Sequence, residues 1–358
     1  MPGLYLIHLE QKTRDATHGS EESDMPDEHG WSEAEFLDIV GSLETGEMPT
    51  VVVNAPFDKS FAHSNSSGYG PREHWPTVSV VIPAHNEARN LPYVLRELPE
   101  LVTEVILVDG NSTDATVDVA RVLWPDIVIT GQPGRGKGDA LRAGVALSHG
   151  EIIVLMDADG STRPQEIELF VAALISGHAD YVKGSRYLSG GGSEDFTPLR
   201  RLGNWFLNAC ANVLYHTHFT DFCYGFNAFW RECIPVIPIE CDGFEVEAQL
   251  NCRAVRSGLR IIEVPSIERP RQHGESHLMP LRDGWRILRA ILRERHWKPT
   301  GAAVPDTQSR NAMRTKGQRI TTAYPPARPN APRTRPRSAT ITPEVQRKAD
   351  KRNGSSPH

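Results

Sequence analysis

The sequence predicts an α/β fold, a parallel sheet with helices on both faces, and three observations carry that expectation. Short β-branched runs alternate with helix-like stretches at short spacing. The runs are apolar throughout, as strands covered on both faces are. Polar clusters stand at or just beyond the carboxyl ends of three of them, where open α/β sheets bind ligands. With 358 residues, 39% of them hydrophobic, the chain can build one large α/β domain or two small ones.

The first strand is Val78-Ser-Val-Val-Ile82, closed by Pro83, and a helix is expected over 87–98. Glu104-Val-Ile-Leu-Val-Asp109 is the second strand and runs into Gly110-Asn-Ser-Thr-Asp114. A helix over 116–123 and a third strand, Ile127-Val-Ile-Thr130, follow. After the Gly-rich stretch 131–138 comes an alanine-rich helix over 139–148. A fourth strand, Glu151-Ile-Ile-Val-Leu-Met156, then ends in Asp157-Ala-Asp159. Beyond Pro164 the pattern is less regular: a strand over 181–183, a helix over 199–215, a strand over 260–264 and an amphipathic helix over 281–297. In that last helix Trp285, Leu288, Ile291 and Leu292 are spaced for one face.

The ends read differently. Residues 1–76 carry fourteen acidic against four basic side chains and form a leader and linker, mostly without fixed structure. Within it, Trp31 to Leu43 can make one short amphipathic helix capped by Ser32, with Trp31, Phe36 and Leu37 apolar. Residues 298–358 carry thirteen basic against three acidic side chains among many prolines and form a solvated tail; nucleic acid is not expected as a partner. The ordered domain is therefore 77–297. No apolar run reaches the length of a membrane span and the start lacks a secretory layout, so the expected location is the cytoplasm. Cys210, Cys223, Cys233, Cys241 and Cys252 show no C-x-x-C pairing and read as buried or partly buried free thiols.

The chemistry is concentrated at Asp157-Ala-Asp159. Two carboxylates one residue apart at the end of a buried strand, with Gly160 behind them, put negative charge at a sharp turn. A hard cation, Mg²⁺ or Mn²⁺, takes oxygen ligands and keeps phosphates in its shell, so such a pair suits a diphosphate leaving group. Alone, Asp159 reads equally as a cap for a helix beginning near Pro164. The company it keeps favours the metal.

Val80-Val-Ile-Pro-Ala-His-Asn-Glu87, Val108-Asp-Gly-Asn-Ser-Thr-Asp114, Gly136-Lys-Gly138 and Asp157-Ala-Asp-Gly160, in that order and spacing, resemble the family 2 glycosyltransferases over about 77–297. The resemblance implies a GT-A fold, Rossmann-like with a mixed, mainly parallel sheet, and inversion at the anomeric centre. It implies that Pro83, Ala84, Glu87 and Asp109 line a nucleoside pocket, that Lys137 approaches the base or phosphates, and that Asp157 and Asp159 form the metal motif. Gly136 and Gly138 would let a backbone come close to the nucleotide.

Further on, Lys183-Gly-Ser-Arg-Tyr187, Asp221-Phe-Cys-Tyr-Gly-Phe226 and Arg271-Gln-His-Gly-Glu-Ser276 are similar to the branch that makes polyprenyl- or dolichol-phosphate sugars. Its acceptor is a phosphate, and guanidinium forks bind phosphate oxygens in fixed geometry, so Arg186, Arg200, Arg201 and Arg271 are the candidate phosphate ligands. The resemblance also offers His273 as a third metal ligand, while His277 stands where the branch usually has lysine. A phosphate acceptor needs no general base; a hydroxyl acceptor does, and Asp221, Glu245 and Glu247 are then the candidates, with a helix-capping role as their alternative.

The expected partners are thus a nucleotide-diphosphate sugar, with UDP-glucose and GDP-mannose the leading donors, and a polyprenyl phosphate or a small soluble acceptor. Stretches 199–215 and 281–297 would touch a bilayer peripherally through Trp205, Phe206, Trp285 and Trp297, or pack on the core or a dimer partner. Two readings compete: a nucleotidyltransferase, which would carry a Gly-rich basic loop where Pro83-Ala-His-Asn-Glu87 stands, and a non-catalytic nucleotide-sugar-binding protein.

Overall fold

The computed structural model describes residues 52–53, 75–176, 179–194, 196–274 and 279–299, all within the unit Pro49–His358. The helix expected over 31–43, His277, and the tail from residue 300 lie outside the described residues.

Ten strands appear in chain order among the described residues. They are β1 (Val52–Val53), β2 (Val78–Ala84), β3 (Val102–Asp109), β4 (Val128–Gly131), β5 (Ile152–Leu155), β6 (Tyr181–Ser185), β7 (Gly192–Ser193), β8 (Asn227–Trp230), β9 (Ile261–Pro265) and β10 (Ile267–Glu268). Eight of them form one sheet in the order β1-β9-β6-β8-β5-β2-β3-β4, and β7 pairs with β10 apart from it. Strands β2, β3, β4 and β5 are parallel, with Ala84 opposite Asp109 and Val81 opposite Leu155, which brings their carboxyl ends to one edge. Residues 78–82, 105–108 and 152–155 are buried, as their unbroken β-branched runs require.

The mixed character of the sheet comes from β8, which runs antiparallel between β5 and β6. Its four residues, Asn227-Ala-Phe-Trp230, are all buried and show no alternation, so they carry little strand signal of their own. β1 falls inside the segment read as leader and linker and pairs parallel with β9 at the sheet edge.

The helices are α1 (Leu91–Leu95), α2 (Thr116–Leu123), α3 (Lys137–Leu147), α4 (Ile167–Ile175), α5 (Pro198–Tyr215), α6 (Val246–Arg256) and α7 (Pro280–Glu294). α3 packs on β2 and β3, and α4 on β6 and β8. The helix expected over 87–98 is only the five residues of α1. The chain before it is diverted by Asn86 in the left-handed region (φ 58°), whose side-chain oxygen accepts from Thr113 N at 2.7 Å and stitches the end of β2 to the loop after β3. Asparagine tolerates that conformation because its short polar side chain bonds locally.

α5, α6 and α7 pack on one another. The buried Arg253 of α6 bonds Glu294 of α7 (Nε to Oε2, 2.8 Å) and Pro238 O (2.6 Å), with Trp297 stacked 4.8 Å from its guanidinium. Trp297, half-buried, is thus engaged with Arg253 of α6. Ile287 and Ile291 of α7 are buried while Trp285 and Leu292 face solvent, so the single apolar face expected for this helix is split in two. The five cysteines are free, as expected.

Candidate active site

A cleft of about 1290 Å³ opens at the carboxyl ends of β2, β3, β4 and β5. Of the residues singled out in the sequence, it brings together Pro83, Ala84, Glu87, Lys137, Asp157, Asp159, Arg186, Arg200, Glu247 and Arg271. Asp109, Arg201, Asp221, Glu245 and His273 do not line it.

Asp157 and Asp159 leave β5 with side chains about a third and a quarter exposed (34% and 24%) toward this cleft. Their hard oxygens fit Mg²⁺ or Mn²⁺ if donor phosphates and water complete the shell. The third ligand expected from sequence is not assembled: among the described residues no three His, Cys, Asp or Glu side chains gather as a metal group. The His273 ring instead sits 5.9 Å from the Tyr93 ring, while its carbonyl accepts from Asn90 (3.0 Å) and Arg271 (2.9 Å). Partial burial, then nearby Arg89, holds the His273 imidazole below its ordinary pKa.

Three carboxylates expected at the chemistry are already paired. Asp221 is fully buried, and Arg186 grips both its oxygens (Nε to Oδ2 2.6 Å, NH2 to Oδ1 3.0 Å). Burial pushes the Asp221 pKa up, but the guanidinium overrides it and holds the carboxyl below its ordinary value. The third guanidinium nitrogen bonds Glu268 at 3.0 Å, and the rings of Phe196 and Tyr224 each lie 4.6 Å from the guanidinium carbon. Arg186 therefore lines the cleft with its hydrogen-bonding capacity largely spent, a correction to its reading as an open phosphate ligand. Glu245 is bound to Arg286 at 3.1 Å. Glu247 lies 2.7 Å from the Lys137 ammonium, which also touches Asp157 at 2.6 Å.

The nucleoside side differs from expectation in two ways. Asp109 turns its carboxylate onto Ser112 N (3.2 and 3.3 Å) and so caps the loop beyond β3 instead of facing the cleft. Gly136 and Gly138 do admit a close backbone, but it is the chain's own. A Cβ on either would stand 2.3 or 2.2 Å from the carbonyl oxygen of Asp242 or Cys241, and Gly138 N donates to Asp242 O at 2.8 Å. This contact docks the 241–243 loop on α3 and sets Glu247 against Lys137.

Glu87 makes an ion pair with Arg271, whose other nitrogen stands 3.9 Å from Asp159. Burial raises the Glu87 pKa against the opposing pull of Asn90 and Arg271. Sequence reasoning missed Gln132, Arg135, Phe196 and Tyr224, which also line the cleft. Gln132 and Arg135 stand in the Gly-rich stretch after β4, a strand-end signal of the kind used for the other strands. Cys223, another lining residue, has its thiol pushed up to about 12 by burial.

The chain is similar to known proteins in both sequence and fold. The family described as Glycosyl transferase family 2 matches residues 79–234. The undecaprenyl-phosphate mannosyltransferase of Micrococcus luteus is 30% identical over 237 residues, 62% of this chain and 93% of that protein. The polyprenol monophosphomannose synthase of Mycolicibacterium smegmatis is 29% identical over 61% of this chain and 85% of that one. Among solved structures, glucosyl-3-phosphoglycerate synthase from Mycobacterium tuberculosis, in complex with Mn²⁺, UDP and glucosyl-3-phosphoglycerate, superposes with a TM-score of 0.52 at 23% identity, covering 71% of this chain and 90% of that one.

The mixed sheet with its strand-end cleft is a GT-A fold, and the relatives make the chain a glycosyltransferase. The chain belongs to glycosyl transferase family 2.

Proposed function

We propose that the enzyme moves a hexose, with inversion, from a nucleoside diphosphate sugar to an acceptor that carries its own ionised oxygen, a polyprenyl phosphate. One observation carries this reading. Each candidate general base is engaged by a cation: Asp221 by Arg186, Glu247 by Lys137 and Glu245 by Arg286. A hydroxyl acceptor needs a free base within hydrogen-bond reach, whereas a phosphate monoester attacks without one. The names of the two polyprenol-linked relatives support the same class of acceptor.

In this reading Asp157 and Asp159 would hold the divalent ion, which when bound offsets charge on the departing nucleoside diphosphate. Pro83 and Ala84 border the nucleoside, and Lys137 and Arg271 face the diphosphate side. Arg200, on the first turn of α5, meets the acceptor phosphate, and Arg186 braces the wall behind it.

The polyprenyl tail would leave the cleft along α5, where Leu199, Leu202, Trp205 and Phe206 are exposed beside the lining residues Arg200 and Gly203. Among the described residues no helix is long and apolar enough to cross a membrane, so contact with the bilayer would be peripheral, through this face and Trp285 of α7.

The test is a transfer assay with labelled UDP-glucose or GDP-mannose, Mn²⁺, and either undecaprenyl phosphate or 3-phosphoglycerate. Labelled lipid that disappears with Asp159→Ala supports the proposal. Labelled 3-phosphoglycerate alone, whose free hydroxyl takes the sugar, would contradict the base-free attack as well as the lipid acceptor, and no product on either acceptor would falsify the reading.

A further inference from the structure

We propose that Lys137 is an internal competitor of the divalent ion, released from Asp157 only when a nucleoside diphosphate arrives to receive it, so that metal and nucleotide enter the site as coupled ligands. The inference rests on the reading of Asp157 as a metal ligand and adds to it a role for Lys137 and Glu247.

The geometry is specific. The Lys137 ammonium lies 2.6 and 2.9 Å from the two oxygens of Asp157 and 2.7 Å from Oε1 of Glu247. Only 12% of the Lys137 side chain is exposed. Burial alone would drive its proton off, but Asp157 and then Glu247 more than reverse that effect, so the group stays cationic. Gly225 leaves room for the pair: a Cβ there would stand 2.8 Å from the ammonium and 3.0 Å from Glu247.

A divalent cation placed on Asp157 would share its carboxylate with this fixed positive charge at a few ångströms in a partly desolvated site, where repulsion is strong. The ion therefore binds weakly by itself. A diphosphate changes the balance by supplying anionic oxygens that receive the ammonium, freeing Asp157 for the ion. Glu247 does not leave. It keeps its bond to the ammonium as that group turns from Asp157 to the phosphate, which makes Glu247 a positioning residue. Its own place is set by the contact of the 241–243 backbone with Gly136 and Gly138. By linkage, the nucleotide must then tighten metal binding by the same factor by which metal tightens the nucleotide.

The experiment measures Mn²⁺ binding to the full chain by paramagnetic resonance of the free ion, with and without UDP or GDP, for wild type, Lys137→Met and Glu247→Gln. The wild type should bind Mn²⁺ at least about tenfold more tightly with the nucleotide than without it, within the usual range of coupling between sites. In Lys137→Met, Mn²⁺ alone should bind about tenfold more tightly than to wild type, and the enhancement by nucleotide should shrink accordingly. Glu247→Gln leaves the ammonium on Asp157 alone, so Mn²⁺ without nucleotide should bind more weakly than to wild type. Nucleotide-independent Mn²⁺ affinity in the wild type overturns the proposal without any variant having to fold. So does an unchanged affinity in a folded Lys137→Met protein, with Asp157→Ala still abolishing binding. If wild type binds no Mn²⁺ even with UDP or GDP, the metal reading of Asp157 falls and this inference with it.

Discussion

Asp157 and Asp159, which the sequence singles out at the end of a buried strand, both line the cleft. Replacing either by alanine should lower turnover by about two orders of magnitude or more, the equivalent of several kcal/mol of lost transition-state stabilisation, with the fold intact by circular dichroism. From the sequence Asp221 reads only as a candidate base for a hydroxyl acceptor, and the ion pair that absorbs it is not visible in the spacing: Arg186 is thirty-five positions away and meets it through the end of β6. The two roles give different results on substitution. Asp221→Ala leaves a buried guanidinium without its main partner and should destabilise the fold by about 3–5 kcal/mol in denaturant unfolding, as broken buried pairs do. A base would instead lose turnover while keeping stability.

Among the elements, β2, β3, β5 and α2 followed the sequence closely because each is short, uniformly apolar or well periodic. α1 and β8 did not. Asn86 diverts the chain before α1 through a side-chain bond to the loop after β3, and β8 has its place fixed by neighbours on both sides. The loop between α5 and β8 is held by Glu263 of β9, which accepts from Thr220 N at 2.7 Å and Asp221 N at 3.0 Å. Burial raises its pKa to about 7 from an ordinary 4.5, against the hydrogen bonds that lower it. The folded protein thus keeps this proton to about pH 7, while the unfolded chain loses it near 4.5. This group's contribution to stability therefore falls as pH rises across that window and levels off above it. Thermal unfolding of wild type and Glu263→Gln from pH 4.5 to 8 should show the wild type losing more stability than the variant over that rise. The exposed faces of α5 and α7 carry a separate expectation. Trp205→Glu combined with Trp285→Glu should remove most binding to anionic vesicles in a flotation assay while leaving nucleotide affinity unchanged, since neither tryptophan lines the cleft.

The whole molecule turns a winding rule into a binding site: parallel strands deliver their carboxyl ends to one edge, and the later part of the chain supplies the opposing wall through Arg200, Phe196 and Arg271. That wall is less legible than the strand ends, because Phe196 and Arg271 stand on irregular segments, while Arg200 lies on the expected helix α5. Of the candidate bases only Glu247 lines this cleft, paired with Lys137, while Asp221 and Glu245 are held by Arg186 and Arg286 away from it. The most direct measurement compares initial rates with undecaprenyl phosphate and with undecaprenol, the same chain ending in a hydroxyl, under saturating donor and Mn²⁺. Turnover is expected on the phosphate, with turnover on the alcohol lower by at least about a hundredfold, the lower end of what a positioned base contributes. Comparable rates on the two acceptors, or a preference for the alcohol, would contradict it.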